Sequence, residues 1–118
     1  MKKLVGLVSS LVLLSLACSK NDNKDDNNNP GTVDCNSINA QFAANVAPLI
    51  ATNCAKAGCH ATGSINGPGA LTTYAQISGN KAAIRAAVSD GRMPKDATLS
   101  ATQKATIICW IDAGAADN

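Results

Sequence analysis

The sequence is poor in the large side chains from which a hydrophobic core is built. Its 118 residues include one phenylalanine, one tyrosine and one tryptophan, and many of its apolar positions are alanine. A small domain with so few large apolar side chains struggles to bury enough surface, so such domains usually rely on a covalent staple or a bound cofactor. The shortage therefore predicts that side-chain packing alone does not stabilise this fold.

Other absences narrow the class of protein. No stretch alternates apolar and polar residues as a half-buried strand does, so we expect an all-α fold without a sheet. The formal net charge is +2 and the chain has no glutamate, which gives no reason to expect nucleic acid as a partner. The only histidine is His60, and Met93 is the only methionine besides Met1. A site that needs an imidazole or a thioether therefore has few residues to use.

Residues 1–17 have the organisation of a secretory signal. Two lysines precede a short apolar run, Leu4 to Leu16, which is too short for a membrane-spanning helix. The run leads to Ala17-Cys18, and a small residue directly before a cysteine resembles the lipobox of bacterial lipoproteins. That resemblance implies cleavage before Cys18, which then carries the lipid. The alternative is an ordinary secreted protein cleaved near Ala17.

A polar segment separates Cys18 from the remainder of the chain. Residues 19–34 are rich in asparagine and aspartate, low in complexity and end near a Pro-Gly turn signal, so we expect a disordered tether. As a coil it would span roughly 20–25 Å. We therefore expect an exported protein that is lipid-anchored to a bacterial membrane, on its periplasmic or cell-surface face, with one folded domain at residues 35–118.

The most informative stretch of that domain is Cys54-Ala-Lys-Ala-Gly-Cys59-His60. Covalent attachment of haem c needs two thiols, which add to the porphyrin vinyl groups as thioethers, and an adjacent histidine as the proximal iron ligand. The usual spacing is C-x-x-C-H, whereas four residues separate the cysteines here. The haem-free alternatives are a small disulfide beside an incidental His60, or a zinc site that is one ligand short.

Helix signals lie on both sides of this motif. Ser37 is in position to cap a segment whose apolar residues share one face, and Pro48 marks a fresh helical start within it. Residues 46–53 of that segment then run directly into Cys54. Beyond the motif, the pattern predicts a loop at residues 61–70. Three helices follow it, at residues 73–77, at residues 80–89 and between the caps Ser100 and Gly114.

In this order the motifs resemble the small monohaem cytochrome c domains of class I, especially those anchored as lipoproteins. The resemblance spans about residues 41–116, nearly the whole folded part. Four segments carry it: Val46-Ala-Pro-Leu-Ile, Cys54 to Cys59-His60, Gly91-Arg-Met-Pro94, and the final helix from Leu99-Ser to Trp110-Ile-Asp-Ala-Gly-Ala.

The resemblance implies a small cytochrome c-like helical fold wrapped around one covalent haem c. Cys54 and Cys59 match the haem thioethers, His60 the proximal iron ligand and Met93 the distal ligand. It further implies an electron carrier rather than an enzyme, with exported or membrane-bound redox proteins as partners. Two alternatives stay open. If Met93 does not ligate, the chain is a five-coordinate haem domain, catalytic or gas-binding, and without haem it is a lipoprotein with a binding or structural role.

Two cysteines remain once Cys18, Cys54 and Cys59 have been assigned. Cys35 and Cys109 lie near the two ends of the folded part, and an exported compartment allows them to form a disulfide. Such a bridge closes a loop of about 75 residues, which the chain-entropy model values at roughly 4 kcal/mol. The alternative is a pair of free buried thiols.

Overall fold

The computed structural model describes residues 33–118, so the expected signal segment, Cys18 and most of the tether lie outside the described residues. Within this range the chain is helical and has no strand, in agreement with the all-α prediction. None of the helices in this range is both long enough and apolar enough to cross a membrane. The elements are a π-helical turn at Phe42–Val46, α1 at Ala47–Asn53, α2 at Tyr74–Gly79, α3 at Lys81–Ser89 and α4 at Ala101–Asp112.

The first helical segment begins later than the sequence pattern predicts. Ser37 does not cap it, because helical backbone starts only at Phe42. The opening turn is wide, and the amide of Val46 donates to the carbonyl oxygen of Gln41, five residues back, over 3.1 Å. Pro48 accounts for the widening, because its ring would clash with a carbonyl four residues earlier and it has no N–H to donate.

The start of this segment is capped from the far end of the domain. The amide of Phe42 donates to Oδ1 of Asn118, and the amide of Ala43 donates to the main-chain oxygen of the same residue, both over 2.8 Å. The first amides of a helix have no partner inside it, so these bonds satisfy two groups that would otherwise need water. Asn118 therefore has the role that the sequence pattern assigned to Ser37.

The later helices begin and end close to where their sequence signals predict. α2 opens with a capping box in which the Thr73 hydroxyl accepts from the Gln76 amide, and the Gln76 side chain accepts from the amide of Thr73. Ser100 and Gln103 form the same arrangement at the start of α4. Gly114 follows α4 with a φ of 106°, in the left-handed region that favours glycine.

The three aromatic residues form one cluster where α4 packs against the π-helical turn. Trp110 is 1% exposed, and its ring centroid lies 5.3 Å from that of Phe42 and 6.5 Å from that of Tyr74. The indole N–H and the tyrosine hydroxyl both have partners, because Trp110 Nε1 donates to the carbonyl of Ala116 and Tyr74 Oη donates to the carbonyl of Ala115. The few large side chains are thus concentrated at one helix crossing.

The expected disulfide is present. Cys35 and Cys109 are bonded, with their Cα atoms 5.5 Å apart and 74 positions between them in the sequence. Cys109 is buried in α4, whereas Cys35 lies in the exposed segment before the first helix. The bridge therefore holds the beginning of the domain against its last helix.

We predict that removing this bridge with Cys35→Ser and Cys109→Ser lowers the free energy of unfolding by about 2–4 kcal/mol, because the unfolded chain gains conformational entropy. Urea unfolding followed by far-UV circular dichroism measures the change. The wild-type chain in reductant serves as the matched control and should approach the double variant, which itself should not respond to reductant. Equal stability of the double variant and the oxidised wild type would contradict the prediction.

Candidate functional site

The cysteines and the histidine of the motif lie on a compact loop that follows α1 directly. The amide of Cys54 still donates to the carbonyl of Ile50, as in a helix, over 2.8 Å. The chain then reverses at Gly58, whose φ of 77° suits glycine, and the amide of His60 donates to the carbonyl of Cys54 over 3.0 Å. Although four residues separate the cysteines, the first and last residues of the motif are thus hydrogen-bonded neighbours.

The two thiols are free, and their surroundings differ. Cys54 is buried at 8% exposure, while Cys59 is only partly buried. Burial raises the pKa of the Cys54 thiol, and the ammonium group of Lys56 offsets part of that rise. Because the thiolate is the reactive form, Cys54 is the less reactive of the pair in the folded chain.

His60 is buried, and its imidazole orientation is fixed by one hydrogen bond. Nδ1 lies 2.8 Å from the carbonyl oxygen of Gly69. Because a carbonyl can only accept, Nδ1 is the donor in this hydrogen bond, and in the neutral form of the ring the lone pair lies on Nε2. Within residues 33–118, Nε2 has no hydrogen-bond partner. Every fully enclosed side-chain nitrogen or oxygen atom in the same range does have a partner. Nε2 is therefore not completely enclosed, although the residue as a whole is only 6% exposed.

The loop that carries Gly69 is held against the cysteine loop by its own polar side chains. Asn66 Nδ2 donates to the carbonyls of Gly58 and Cys59, each over 3.0 Å, and Ser64 Oγ donates to the carbonyl of Cys59. The sequence pattern predicts a loop here but indicates no role for Ser64 or Asn66. Their only signal was the concentration of turn-forming Gly, Ser, Asn and Pro at residues 63–69.

Met93 lies in the irregular segment between α3 and α4. The side chain is partly exposed, its amide donates to the carbonyl of Ala87 over 3.1 Å, and the following Pro94 is buried. This segment meets the cysteine loop through an ion pair, with Lys56 Nζ 2.6 Å from Asp96 Oδ2. The hydrogen bond between them lowers the pKa of the Asp96 carboxyl and raises that of the Lys56 ammonium. The structure thus joins the loop of His60 to the segment of Met93.

An apolar pocket of about 470 Å³ lies beside this site without including it. Its walls come from one face of the first helical segment and from the stretch that leads into α2. None of the four motif-derived site residues lines it; the wall includes Phe42, Ala47, Ala51, Ala55, Leu71 and Ile77. Between residues 33 and 118, no three His, Cys, Asp or Glu side chains are grouped so that they could hold a metal ion. A metal site here would therefore need another donor, such as Met93, or a prosthetic group.

Comparison with known proteins adds no relative to this picture. No protein-family model, curated protein or solved structure matches the chain. The interpretation of the site therefore depends on the chemistry of the described residues and on the motifs that the sequence itself contains.

We predict that alkylation distinguishes the two thiols of the folded, haem-free chain. Cys59 should react with iodoacetamide several times faster than Cys54, because Cys54 is buried and its pKa is raised. Trypsin cleaves after Lys56, between the two cysteines, so mass spectrometry of the digest reports each rate separately. In denaturant the difference should disappear, and equal rates in the folded chain would contradict the assigned burial.

Proposed function

We propose that this chain is an exported c-type cytochrome that carries electrons and catalyses no reaction of its own. Cys54 and Cys59 would hold one haem c as thioethers, with Nε2 of His60 and the sulfur of Met93 as the axial ligands. The observation that carries the proposal is the hydrogen bond from His60 Nδ1 to Gly69, because it leaves Nε2 as the nitrogen available to iron. Ligating histidines usually donate their other N–H to a carbonyl or carboxylate in this way.

The donor set suits a haem better than a bare metal ion. Two thiols and one imidazole leave a structural zinc site one ligand short, whereas haem c uses two thiols for attachment and one imidazole for ligation. Both thiols are free and lie on the same short loop as His60. The residues present therefore fit a covalently attached haem, which supplies reversible one-electron exchange at its iron.

The protein's own residues would determine how that exchange proceeds. His60 and Met93 together would fill both axial positions, so no position would remain for a substrate. The main-chain bond from Met93 to Ala87 and the burial of Pro94 restrict where the thioether can lie. Buried surroundings and axial ligands are what a protein uses to set a haem potential, so these contacts would define the potential of the carrier.

We place this domain at the surface of a bacterial membrane, with the lipid of Cys18 as its anchor and residues 19–34 as its tether. Its partners would be exported or membrane-bound redox proteins. Encounters between redox proteins bury little surface and are short-lived, which suits a carrier that can move on a tether. This part of the proposal rests on the sequence resemblance to lipoproteins alone.

A haem-free exported module with a binding or structural role is the second candidate, and one observation favours it. The apolar side chains of the described residues already pack into a closed core, in which Val46, Ile107 and Trp110 are at most 1% exposed. Together with the Cys35–Cys109 bridge, this core gives the domain a source of stability other than a porphyrin. A measurement of bound haem separates the two candidates.

We predict that the full chain, exported by a host with a haem-attachment system, retains a haem stain on a denaturing gel. Cys54→Ala with Cys59→Ala should abolish the stain, because both thioether sulfurs are gone. The matched control is Cys35→Ser with Cys109→Ser, which removes two other cysteines and should keep the stain. A colourless wild-type chain with its native helicity would contradict the cytochrome proposal.

Replacing the distal ligand should change the potential and leave the haem attached. We predict that Met93→Ala lowers the midpoint potential by on the order of 100 mV, because axial ligands set haem potentials over a range of about 0.8 V and methionine raises them. Met93→His should also lower the potential while it keeps a six-coordinate, low-spin spectrum. Redox titration followed optically measures both, and an unchanged potential in Met93→Ala would show that Met93 is not a ligand.

A further inference from the structure

We propose that Lys56 and Asp96 are positioning residues, whose ion pair holds the segment of Met93 against the loop of Cys54 and His60. This inference rests on the proposed function, since it takes Met93 as the distal ligand. It goes further by assigning a task to two charged residues that would bind neither the haem nor its iron: Lys56, which lies between the two cysteines, and Asp96.

The position of the pair in the sequence makes it suited to this task. Lys56 is the only charged residue among the four that separate the two cysteines, and Asp96 follows Met93 by three positions. Their charged atoms lie 2.6 Å apart although 40 positions separate the residues in the chain. A contact this close to both Cys54 and Met93 in the sequence joins the two segments that carry them.

Among the described residues, Asp96 makes the one side-chain hydrogen bond that joins segment 91–98 to the cysteine loop. In the described part of the chain, the segment 91–98 makes one other side-chain ion pair, between Arg92 and Asp90. That pair spans only two positions and lies within the turn after α3, so it does not bind the segment to a different element. The main chain is anchored at Met93, and after Pro94 the residues up to Thr98 are exposed until Leu99 returns to the core.

The pair is accessible enough that its effect should be moderate. The Lys56 side chain is 34% exposed and that of Asp96 is 54% exposed, so water screens their attraction. Exposed ion pairs of this kind change an equilibrium by about two- to fivefold rather than by orders of magnitude. We therefore expect loss of the pair to raise the population in which Met93 has left the iron by a factor in that range.

Imidazole provides the probe, because it binds ferric haem only when the distal position is vacant. In the haem-loaded full chain, Asp96→Asn should speed imidazole binding by about two- to fivefold. Lys56→Gln should have the same effect, whereas Lys56→Arg keeps the positive charge and should retain the wild-type rate of imidazole binding. The matched control is Arg85→Gln, which breaks an equally short ion pair, 2.6 Å to Asp112, between α3 and α4 and should leave the rate unchanged.

Hydrogen exchange gives a second readout that does not depend on the haem. Mass spectrometry of the wild-type and Asp96→Asn full chains should show faster exchange at residues 93–98 in the variant. Arg85→Gln should leave exchange in this segment as it is in the wild type. Unchanged exchange in Asp96→Asn would overturn the inference.

The outcomes separate this inference from the proposed function. If Met93→Ala accelerates imidazole binding and Asp96→Asn does not, Met93 is the ligand but the ion pair does not position it, and only this inference fails. If the wild-type chain carries no haem, both proposals fail together. Faster binding in Asp96→Asn, rescue by Lys56→Arg and no change in Arg85→Gln would together support the positioning role.

Discussion

One hydrogen bond fixes the orientation of the imidazole on which the candidate site depends. The carbonyl oxygen of Gly69 accepts from Nδ1 of His60, and this contact fixes both the ring orientation and the position of its proton. The side chains of two neighbouring residues hold the loop that carries this carbonyl. Ser64 and Asn66 bind the loop of Gly69 to the carbonyls of the cysteine loop, and that loop is itself closed by the bond from the His60 amide to Cys54. The result is an imidazole with one nitrogen engaged in a hydrogen bond, on the same loop as two free thiols.

A scarcity of large side chains explains how the rest of the fold is built. The aromatic residues pack against one another where the first helical segment crosses α4. The Cys35–Cys109 bridge joins the chain before the first helical segment to α4, and the Asn118 cap joins the start of that helical segment to the residues after α4. These three devices constrain the ends of the domain, while the middle of the chain contributes loops whose polar side chains hold the site. The contacts that constrain the ends of the domain and the contacts that hold the candidate site thus lie in different parts of a short chain.

Features that depend on neighbouring residues were predictable from the sequence, and features that depend on distant residues were not. The start of α4 at its cap Ser100 was predicted, because the amide that Ser100 caps lies only three positions away. A short helix from Thr73 was also predicted, but its capping box with Gln76 was not. The start of the first helix was predicted wrongly at Ser37, since the residue that caps it is Asn118, 76 positions away from Phe42. The pairing of Cys35 with Cys109 was predicted correctly, because these were the two cysteines left after Cys18, Cys54 and Cys59 had been assigned.

The candidate site divides along the same line. The residue types of Cys54, Cys59, His60 and Met93 could be recognised in the sequence, and their roles as haem ligands and attachment points stay predictions. The partners that orient them could not be recognised, because the Gly69 group that matters is a main-chain carbonyl, which every residue has. The contact of Lys56 with Asp96 joins segments 40 positions apart and leaves no local pattern. The lipid at Cys18 lies outside the described residues and also stays a prediction.

We propose that His60 presents Nε2 to iron because the carbonyl of Gly69 accepts a hydrogen bond from Nδ1. Nitrogen-15 NMR of the imidazole in the matured, reduced, full-length chain tests this proposal. We expect a proton on Nδ1 and an Nε2 without a proton, whose resonance is shifted by the bound iron. A proton found on Nε2 in that chain would contradict it, since a protonated Nε2 cannot be an iron ligand.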